Sequence, residues 1–302
     1  MIPFDSLSPA QGRGFAEFAA SRIRQAELAP IHPLQTIQDD SAAHTLTAVG
    51  SVWSRQLYDG DFHLVPSPDA DLPAVSLVFV QSREGNTGAD NPEDLGGGAT
   101  DKHLIYEGVS RVAADAVMAG AKSAGGPNTF FSVWHPEFVA LRQQLGLPRH
   151  PAQIVVTGTG CIDVEQSRVF TVPEVPVYVL ATPGACDRLE ALRSRPWVQF
   201  IHVDGEHLGA ALRTLRTQFG ITRISAIGGR TTATALLDEG LVQDVWLTTT
   251  AKSAGEPDTP FYVGKRPPVL TPIVTKRGTD PNAPITFQQL AVAGAKSPGL
   301  RT

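Results

Sequence analysis

The sequence predicts an α/β protein built on one mixed sheet, mostly parallel, closed by an antiparallel C-terminal strand pair and carrying helices on both faces. Three observations predict it. From residue 74 onward, short apolar runs alternate with segments of helical period, the order that builds parallel sheets covered on both sides. The last two apolar runs, "PVLTPIVTKRG" and "APITFQQLAV", are joined by a short loop with no helix between them, and such strands pair antiparallel. Hydrophobic residues make up 42% of the 302 residues and charged residues 18%, an ordinary balance that fills a sizeable core.

Residues 1–71 read as an N-terminal extension, helical and then irregular. Residues 11–28 set Phe15, Phe18, Ala19, Ile23 and Ala26 near one helical face. Beyond Pro30, "IHPLQTIQDDSAAHTL" has no clear period, and three prolines punctuate the linker "VPSPDADLP". The main domain is expected over residues 72–292. "VSLVFVQ" is a strand apolar on both faces, followed by the glycine-rich loop "GNTGADNPEDLGGGAT". A helix over 101–113 aligns Ile105, Val109 and Val112.

"DAVMAG" is a short buried strand, and "PEFVALRQQLG" is a helix with Phe138, Leu141 and Leu145 in line. "AQIVVTG" and "VPVYVLAT" are strands, "ACDRLEALRS" a helix and "VQFIHVD" a strand. Residues 207–219 carry the strong stripe Leu208, Ala211, Leu212, Leu215 and Phe219. Residues 223–227 are a strand, 231–239 a helix facing inward through Ala233, Leu236 and Leu237, and "DVWLTTT" a strand. Residues 293–302 read as a flexible tail.

A net charge of −5 supplies no bulk attraction to nucleic acid or to an anionic membrane, so neither is an expected partner. No apolar run is long enough for a membrane span. "MIPFDSLSPAQGRG" has no basic segment leading into an apolar core, so no signal peptide is expected and a cytoplasmic location is. Cys161 and Cys186 form no C-x-x-C, and His103, His135 and His150 belong to no H-x-x-x-H pair, so no metal is expected. Without G-x-S-x-G or P-C-x-x-C, the sequence argues against an α/β-hydrolase and against a zinc deaminase.

The chemistry concentrates at strand ends. In "ISAIGGRTTATALL" a strand stops at Gly228 and Gly229 and a helix starts at once. A helix start leaves N–H groups unpaired and carries partial positive charge, so it suits an anion. Glycines let a phosphate approach the main chain, Thr231 and Thr232 offer hydroxyls, and Arg230 offers charge. A tight turn accounts for the same glycine pair. "DAVMAGAKSAGG" ends alike, with Gly120, Ala121 and Ser123 around Lys122, and "VVTGTG" adds Thr157 and Gly158, placed for a ribose or its 2′-phosphate. Several strand ends of this kind in one sheet point to an extended, phosphate-bearing ligand.

Four stretches then stand in a telling order. A strand runs into "QSREGNTG", and "RVAADAVMAG" follows the pattern R-x-x-A-D-A-V-x-x-G. Ser123 follows shortly after, and "ISAIGGRTTATALLDEGLVQDVWL" tracks L-x-x-E-G-G-x-x-L, a helix and G-L-V-D-E. This order resembles the reductase domain of the bifunctional riboflavin-pathway deaminase–reductases, pyrimidine reductases of dihydrofolate-reductase-like fold. The resemblance covers about residues 72–292 and implies NADPH, a small-molecule substrate and a homodimer. It implies cofactor contacts at Gly120, Ala121, Ser123, Thr157, Gly158, Ile227, Gly228, Gly229, Arg230, Thr231 and Thr232. It sets the substrate near Ser82, Gly85, Asn86 and Thr87, with Glu84 as the candidate catalytic acid.

The chain departs from that family at several polar positions. Val78 stands for a lysine, Glu84 for the aspartate of S-x-D-G and Ile227 for the glutamate of E-G-G. A loop aspartate after "DAVMAG" has no counterpart. The expectation is an NADPH-dependent reductase of a small heterocyclic, imine or carbonyl substrate related to ribosylaminopyrimidines, less polar than the riboflavin intermediate. The alternatives are a catalytically degenerate nucleotide-binding or interaction protein of the same fold, and an α/β enzyme that uses no dinucleotide. Asp101 reads as a helix N-cap, and Arg111 as a helix arginine extended toward solvent.

Overall fold

The computed structural model describes residues 9–205 and 207–293. The tail expected over 293–302 falls, beyond Ala293, outside the described residues. The chain opens with α1 (Pro9–Glu27), β1 (Leu34–Asp39), β2 (Thr47–Val49), α2 (Val52–Tyr58) and β3 (Phe62–Leu64). The central part follows: β4 (Ala74–Gln81), a π-helix (Thr100–Val109), β5 (Ala116–Gly120), α3 (Ala121–Ala124), α4 (Pro136–Gln144), β6 (Ala152–Thr157) and β7 (Val177–Ala181). Then come α5 (Pro183–Arg188), β8 (Val198–His202), α6 (Gly209–Phe219), β9 (Arg223–Ile227), α7 (Arg230–Asp238), β10 (Asp244–Thr250), β11 (Leu270–Gly278) and β12 (Ile285–Val292).

Ten strands form one sheet in the order β1-β11-β12-β10-β4-β9-β5-β6-β7-β8, and β2 pairs with β3 apart from it. From β10 to β8 every neighbour is parallel. β12, β11 and β1 then add on antiparallel, as the short last loop predicts. β9 arrives late in the chain and slots between β4 and β5. Asp115, just before β5, fixes it there: its Oδ2 accepts the backbone N–H groups of Thr222 at 2.7 Å and Arg223 at 2.9 Å. After β5 the chain moves toward β6, and after β9 it crosses to β10. The connections therefore diverge between β9 and β5, where open α/β sheets form their clefts.

Alternation along each strand feeds two cores. Val117 and Ala119 of β5 join Val155, Val177 and Val179 against Leu104, Ile105 and Val109 of the π-helix and Phe138 of α4. Ala116 and Met118 face the opposite way, with Ile154, Ile224 and Ala226, against Leu212 and Leu215 of α6 and Leu236 of α7. Both faces are covered, which is why these strands read as continuous apolar runs. A third cluster packs Phe15, Phe18, Ala19, Ile23 and Ala26 of α1 on Phe130, Trp134, Val172 and Val175, the helical face the sequence predicts. No helix among the described residues is long and apolar enough to cross a membrane.

Four local readings need correction. Residues 34–64 are not irregular: β1 extends the main sheet, and a strand pair and a capped helix follow. β1 hides in the sequence because it is an edge strand with mostly solvated side chains and a bulge between Thr36 and Gln38, which together erase alternation. It is held by Lys276 of β11. The Lys276 ammonium is buried, donates to Thr36 Oγ1 at 2.7 Å and Asp59 O at 2.9 Å, and lies 4.3 Å from the Tyr58 ring centre. Burial pulls its pKa down to about 8.

The helix expected over 101–113 is a π-helix that ends at Val109, with Ser110 N–H bonded to Ile105 O at 3.1 Å. Buried Arg142 of α4 closes its end, with Nη1 on the carbonyls of Arg111, Val112 and Ala114. Leu145 and Phe219 lie at helix ends and are exposed, so those two stripes stop one turn early. "ACDRLEALRS" breaks at Leu189 into α5 and a 3₁₀ turn.

The π-helix and α4 touch at a glycine. A methyl group on Gly108 would collide with the Phe138 ring and stand 2.9 Å from His103 O. Gly108→Ala is expected to cost roughly 1–3 kcal/mol, the usual penalty for overpacking a fitted contact. Chemical denaturation measures it; an unchanged midpoint would show that this contact yields freely.

Candidate functional site

At the carboxyl ends of the parallel strands lies a cavity of about 1060 Å³. Val78, Phe79 and Val80 of β4 line it, and the ends of β5, β6 and β9 open into it. All of the residues expected at strand ends converge here: Gly120, Ala121 and Ser123; Thr157 and Gly158; and Ile227, Gly228, Gly229, Arg230, Thr231 and Thr232.

The convergence is close. Gly228 and Gly229 have φ of 69° and 84°, where a side chain is strained. A Cβ on Gly229 would lie 3.9 Å from the backbone nitrogen of Gly120, and one on Gly228 would lie 3.8 Å from Ser123 Oγ. The ends of β9 and β5 thus nearly touch, main chain to main chain. α7 begins at Gly229 with no side-chain cap, so its first-turn N–H groups stay free for another acceptor. Gly120 has an ordinary φ of −70°, and Gly158 has nothing within 4 Å of a would-be Cβ. Thr157 is spent locally: its hydroxyl accepts the Gly160 N–H at 2.9 Å and shapes the turn. Such a cradle of glycines at a free helix start fits a dinucleotide diphosphate.

The inner wall of the cavity is apolar. Val78 and Ile227 are adjacent in register across β4 and β9, and both are buried. Trp246 of β10 flanks Val78 on its other side.

The substrate loop is placed differently from expectation. Of Ser82, Gly85, Asn86 and Thr87, only Thr87 lines the cavity. Ser82 is buried in a turn closed by its N–H to Asn86 O at 2.9 Å, Gly85 supplies a φ of 88°, and Asn86 Oδ1 accepts the Thr259 N–H at 3.3 Å. Thr87 is tied to Thr259 O through its N–H and its hydroxyl. Glu84 is off the cavity and exposed. Its carboxylate accepts from the Ser253 hydroxyl and from Ser82 Oγ, and these bonds, Ser253 foremost, hold its pKa below the usual range. A carboxylate so placed is ionised near neutrality and is not a proton donor to the cavity.

Two residues that the sequence reading set aside face the cavity instead. Asp101 is not an N-cap: the helix is preceded by Ala99, which makes no side-chain capping bond, and Asp101 lines the cavity. Burial pushes its carboxyl up to about 6, with the Thr248 hydroxyl acting in the opposite sense. Its neighbours among the cavity acids are accounted for. Glu93 pairs with Lys102 and Glu107 with His103, while Asp90 and Glu256 are exposed. The signal for Asp101 was its glycine: a Cβ at Gly97 would sit 2.6 Å from Asp101 Oδ2, so the "GGG" run clears space for this carboxylate.

Arg111 does not extend to solvent. It is buried, stacked 4.1 Å from the Tyr106 ring centre, with Nη1 on Ser132 O at 3.2 Å. Its Nε and Nη2 have no partner, and the residue lines the cavity. Near it, Glu107 accepts His103 Nδ1 at 2.9 Å. Burial opposes the Glu107 charge, but the His103 bond and the Arg111 charge outweigh it and hold its pKa below the usual range.

Sheet order, cleft position and the antiparallel closing strands define a dihydrofolate-reductase-like reductase fold. The chain belongs to the family of the RibD C-terminal domain, whose model matches residues 80–276. Among solved structures it is similar to a pyrimidine reductase-like protein from Corynebacterium diphtheriae, with a TM-score of 0.59 and 20% identity, covering 73% of this chain and 92% of that one. It is also similar to Acinetobacter baumannii RibD, with a TM-score of 0.57 and 16% identity over 74% of this chain. There it spans only 58% of the longer protein. No curated protein matches the sequence.

Asp101 makes stability depend on pH. Between its usual value of 3.8 and about 6, the folded chain holds a proton that the unfolded chain has released. Stability therefore falls as pH rises through that window. Asp101→Asn is expected to raise the melting temperature at about pH 7.5 and to change it little below about pH 4. Melts of both proteins across this range measure the difference; an equal offset at every pH would remove the case for a perturbed carboxyl.

Proposed function

We propose that the chain is an NADPH-dependent reductase of a small heterocyclic, imine or carbonyl substrate related to the ribosylaminopyrimidines. The observation that carries this reading is the cradle at Gly120, Gly228 and Gly229, set at an uncapped helix start and opening on an apolar wall. In this reading the α7 N–H groups and the Gly228–Gly229 backbone hold the diphosphate, with Arg230, Thr231, Thr232 and Ser123 around it. Ala121 and the Thr157–Gly158 turn flank the nucleoside. When bound, the dihydronicotinamide supplies hydride; the protein supplies position, dryness and a proton.

Asp101 fits the proton's place. With a pKa near 6 it holds a proton for part of the time at neutral pH and takes one back readily. Val78 and Ile227 exclude water from the inner wall and offer no charge to a polar pyrimidine. That favours a substrate ring less polar than the riboflavin intermediate. The buried, unpartnered nitrogens of Arg111 favour a working pocket over a degenerate one, because a buried charge without a ligand is costly to keep. A homodimer in the cytoplasm goes with this reading, and light scattering across concentrations tests the dimer.

Gly229→Val and Gly120→Val are both expected to weaken NADPH binding by at least about tenfold, or roughly 1.4 kcal/mol. Gly229 sits at positive φ, so its variant must first keep a cooperative melt. Gly120 has an ordinary backbone, and a Cβ there would meet Thr232 Oγ1 at 3.5 Å, an ordinary contact, so its variant reports occlusion without backbone strain. Titration calorimetry decides; unchanged affinity in both would reduce the cradle to a turn.

Expression of the chain in a strain lacking the riboflavin-pathway reductase is expected to give no efficient rescue. Val78 and Ile227 cannot make the charge-assisted bonds that a polar pyrimidine needs. Robust growth would overturn the inferred shift in substrate.

A further inference from the structure

α1 lies outside the family-matched residues 80–276. Its apolar face is seated on Phe130, Trp134, Val172 and Val175. Of these four, Phe130 alone also lines the cavity, in company with Phe131 and Tyr106. The Phe130 ring, 3% exposed, thus stands between the helix and the cavity. The two neighbouring phenylalanines are held in different ways. Phe131 is clamped by buried Gln153: its N–H donates to Gln153 Oε1 at 3.0 Å, and Gln153 Nε2 donates to Phe131 O at 2.9 Å. Phe130 is placed by ring packing. Phe15 meets it edge-on at 4.8 Å between ring centres, His150 edge-on at 5.5 Å and Trp134 tilted at 6.3 Å. Phe15 also meets His150 at 5.5 Å, so the four rings close into a cage. His150 is fixed in turn by Ser132, whose Oγ lies 2.7 Å from Nδ1. Burial, then the Arg149 and Arg142 charges, push the His150 pKa down to about 3, so its ring is neutral and packs as an aromatic. Phe18, one turn further along α1, makes a contrasting contact. It packs edge-on to Trp134 at 5.7 Å and lies 4.4 Å from the Arg168 guanidinium, and neither partner lines the cavity.

We propose that α1 is a positioning element of the substrate pocket: by closing the ring cage behind Phe130, Phe15 fixes that ring as a wall for a planar heteroaromatic group of the substrate. The proposal rests on reading the cavity as the substrate pocket. Flat rings pack offset or edge-on against aromatic walls, and Tyr106, Phe130 and Phe131 supply such a wall at the cavity. A wall ring locked before binding has little rotamer freedom left to lose, so Phe15 contributes to affinity without touching the ligand. Ligand binding and the seating of α1 are then linked, each stabilising the other.

The test titrates the full chain with lumazine, a fluorescent planar fused pyrimidine, with and without NADP+. Wild type is compared with Phe15→Ala, Phe15→Leu and Phe18→Ala, each checked by circular dichroism, by its melt and by NADPH titration. Phe15→Ala is expected to weaken lumazine binding by at least about fivefold, and Phe15→Leu by less, because leucine refills most of the cage. Phe18→Ala should stay within about twofold of wild type, since it loosens the same helix but leaves the cage around Phe130 whole. If α1 only stabilised the fold, both alanine variants would move alike. NADPH affinity should stay within about twofold of wild type in all three. In wild type, lumazine is expected to slow hydrogen exchange of the α1 backbone amides, the reciprocal effect. Equal lumazine binding by wild type and Phe15→Ala overturns the proposal, as do equal losses in Phe15→Ala and Phe18→Ala, or no lumazine binding by wild type. A matching loss of NADPH in Phe15→Ala overturns it too, because the wall would then serve the cofactor. Should Phe15→Ala fail to fold, unchanged lumazine binding by Phe130→Leu overturns it instead, and weakened binding there with slowed α1 exchange supports it. Phe15-dependent lumazine binding by a chain that does not bind NADPH would leave the wall standing and remove the reductase reading.

Discussion

The insertion of β9 between β4 and β5 is the constraint on which the site depends. Besides the ladders to β4 and β5, its start is pinned by Asp115, whose carboxylate accepts two backbone N–H groups there. With β9 in place, two strand ends that are far apart in sequence meet main chain to main chain at Gly120 and Gly229. The same insertion makes Val78 and Ile227 register partners and sends the following connections in opposite directions. Cavity, cradle and apolar wall are therefore consequences of one topological decision.

The charges around the cavity are distributed coherently. Val78 and Ile227 stand where the resembling family has a lysine and a glutamate, and in this fold those positions are neighbours on adjacent strands. Replacing both leaves no orphaned charge in the middle of the sheet, whereas replacing either alone would. Charged side chains of the cavity stand on the helical side instead. Asp101 lines the cavity with the Thr248 hydroxyl acting on it, and Arg111 and Glu107 line it with His103 bonded to Glu107. The π-helix carries three of these five residues, Asp101, His103 and Glu107; its wider turn changes which positions share a face, and Asp101, Tyr106 and Glu107 line one cavity together with Arg111 just beyond its end.

The main sheet was legible because its chemistry is local. A strand covered on both faces must be apolar throughout, and β4, β7, β9 and β10 each announce themselves within a few residues. The glycines at 228 and 229 were legible for a related reason, since a backbone turn at positive φ demands them. Other features depend on partners distant in sequence. β1 is polar because it lies at an edge, and only β11 explains it. Glu84 looked like a pocket acid until Ser253, far along the chain, took its carboxylate. Asp101 read as an N-cap because the helix was expected to begin at it, whereas the helix starts earlier and winds more widely; Arg111 read as a helix arginine because the helix was expected to run to residue 113, whereas it ends at Val109. Helical pattern reading fails when the helix itself is of another kind.

The pairing of Leu34 with Gly278 joins the first strand to nearly the last. During synthesis β1 has no edge to add to until β11 has left the ribosome, and Lys276, which anchors it, emerges equally late. The central parallel strands can assemble, and α1 can dock on Phe130, Trp134, Val172 and Val175, while β1 waits as an unpaired strand, and such an exposed edge invites association with other chains. Closure of so long a loop is slow but adds little to its entropic cost beyond that of a loop half as long. The outermost edge of the main sheet is thus completed last, when the chain is almost finished, although the partners on which α1 packs are made well before it.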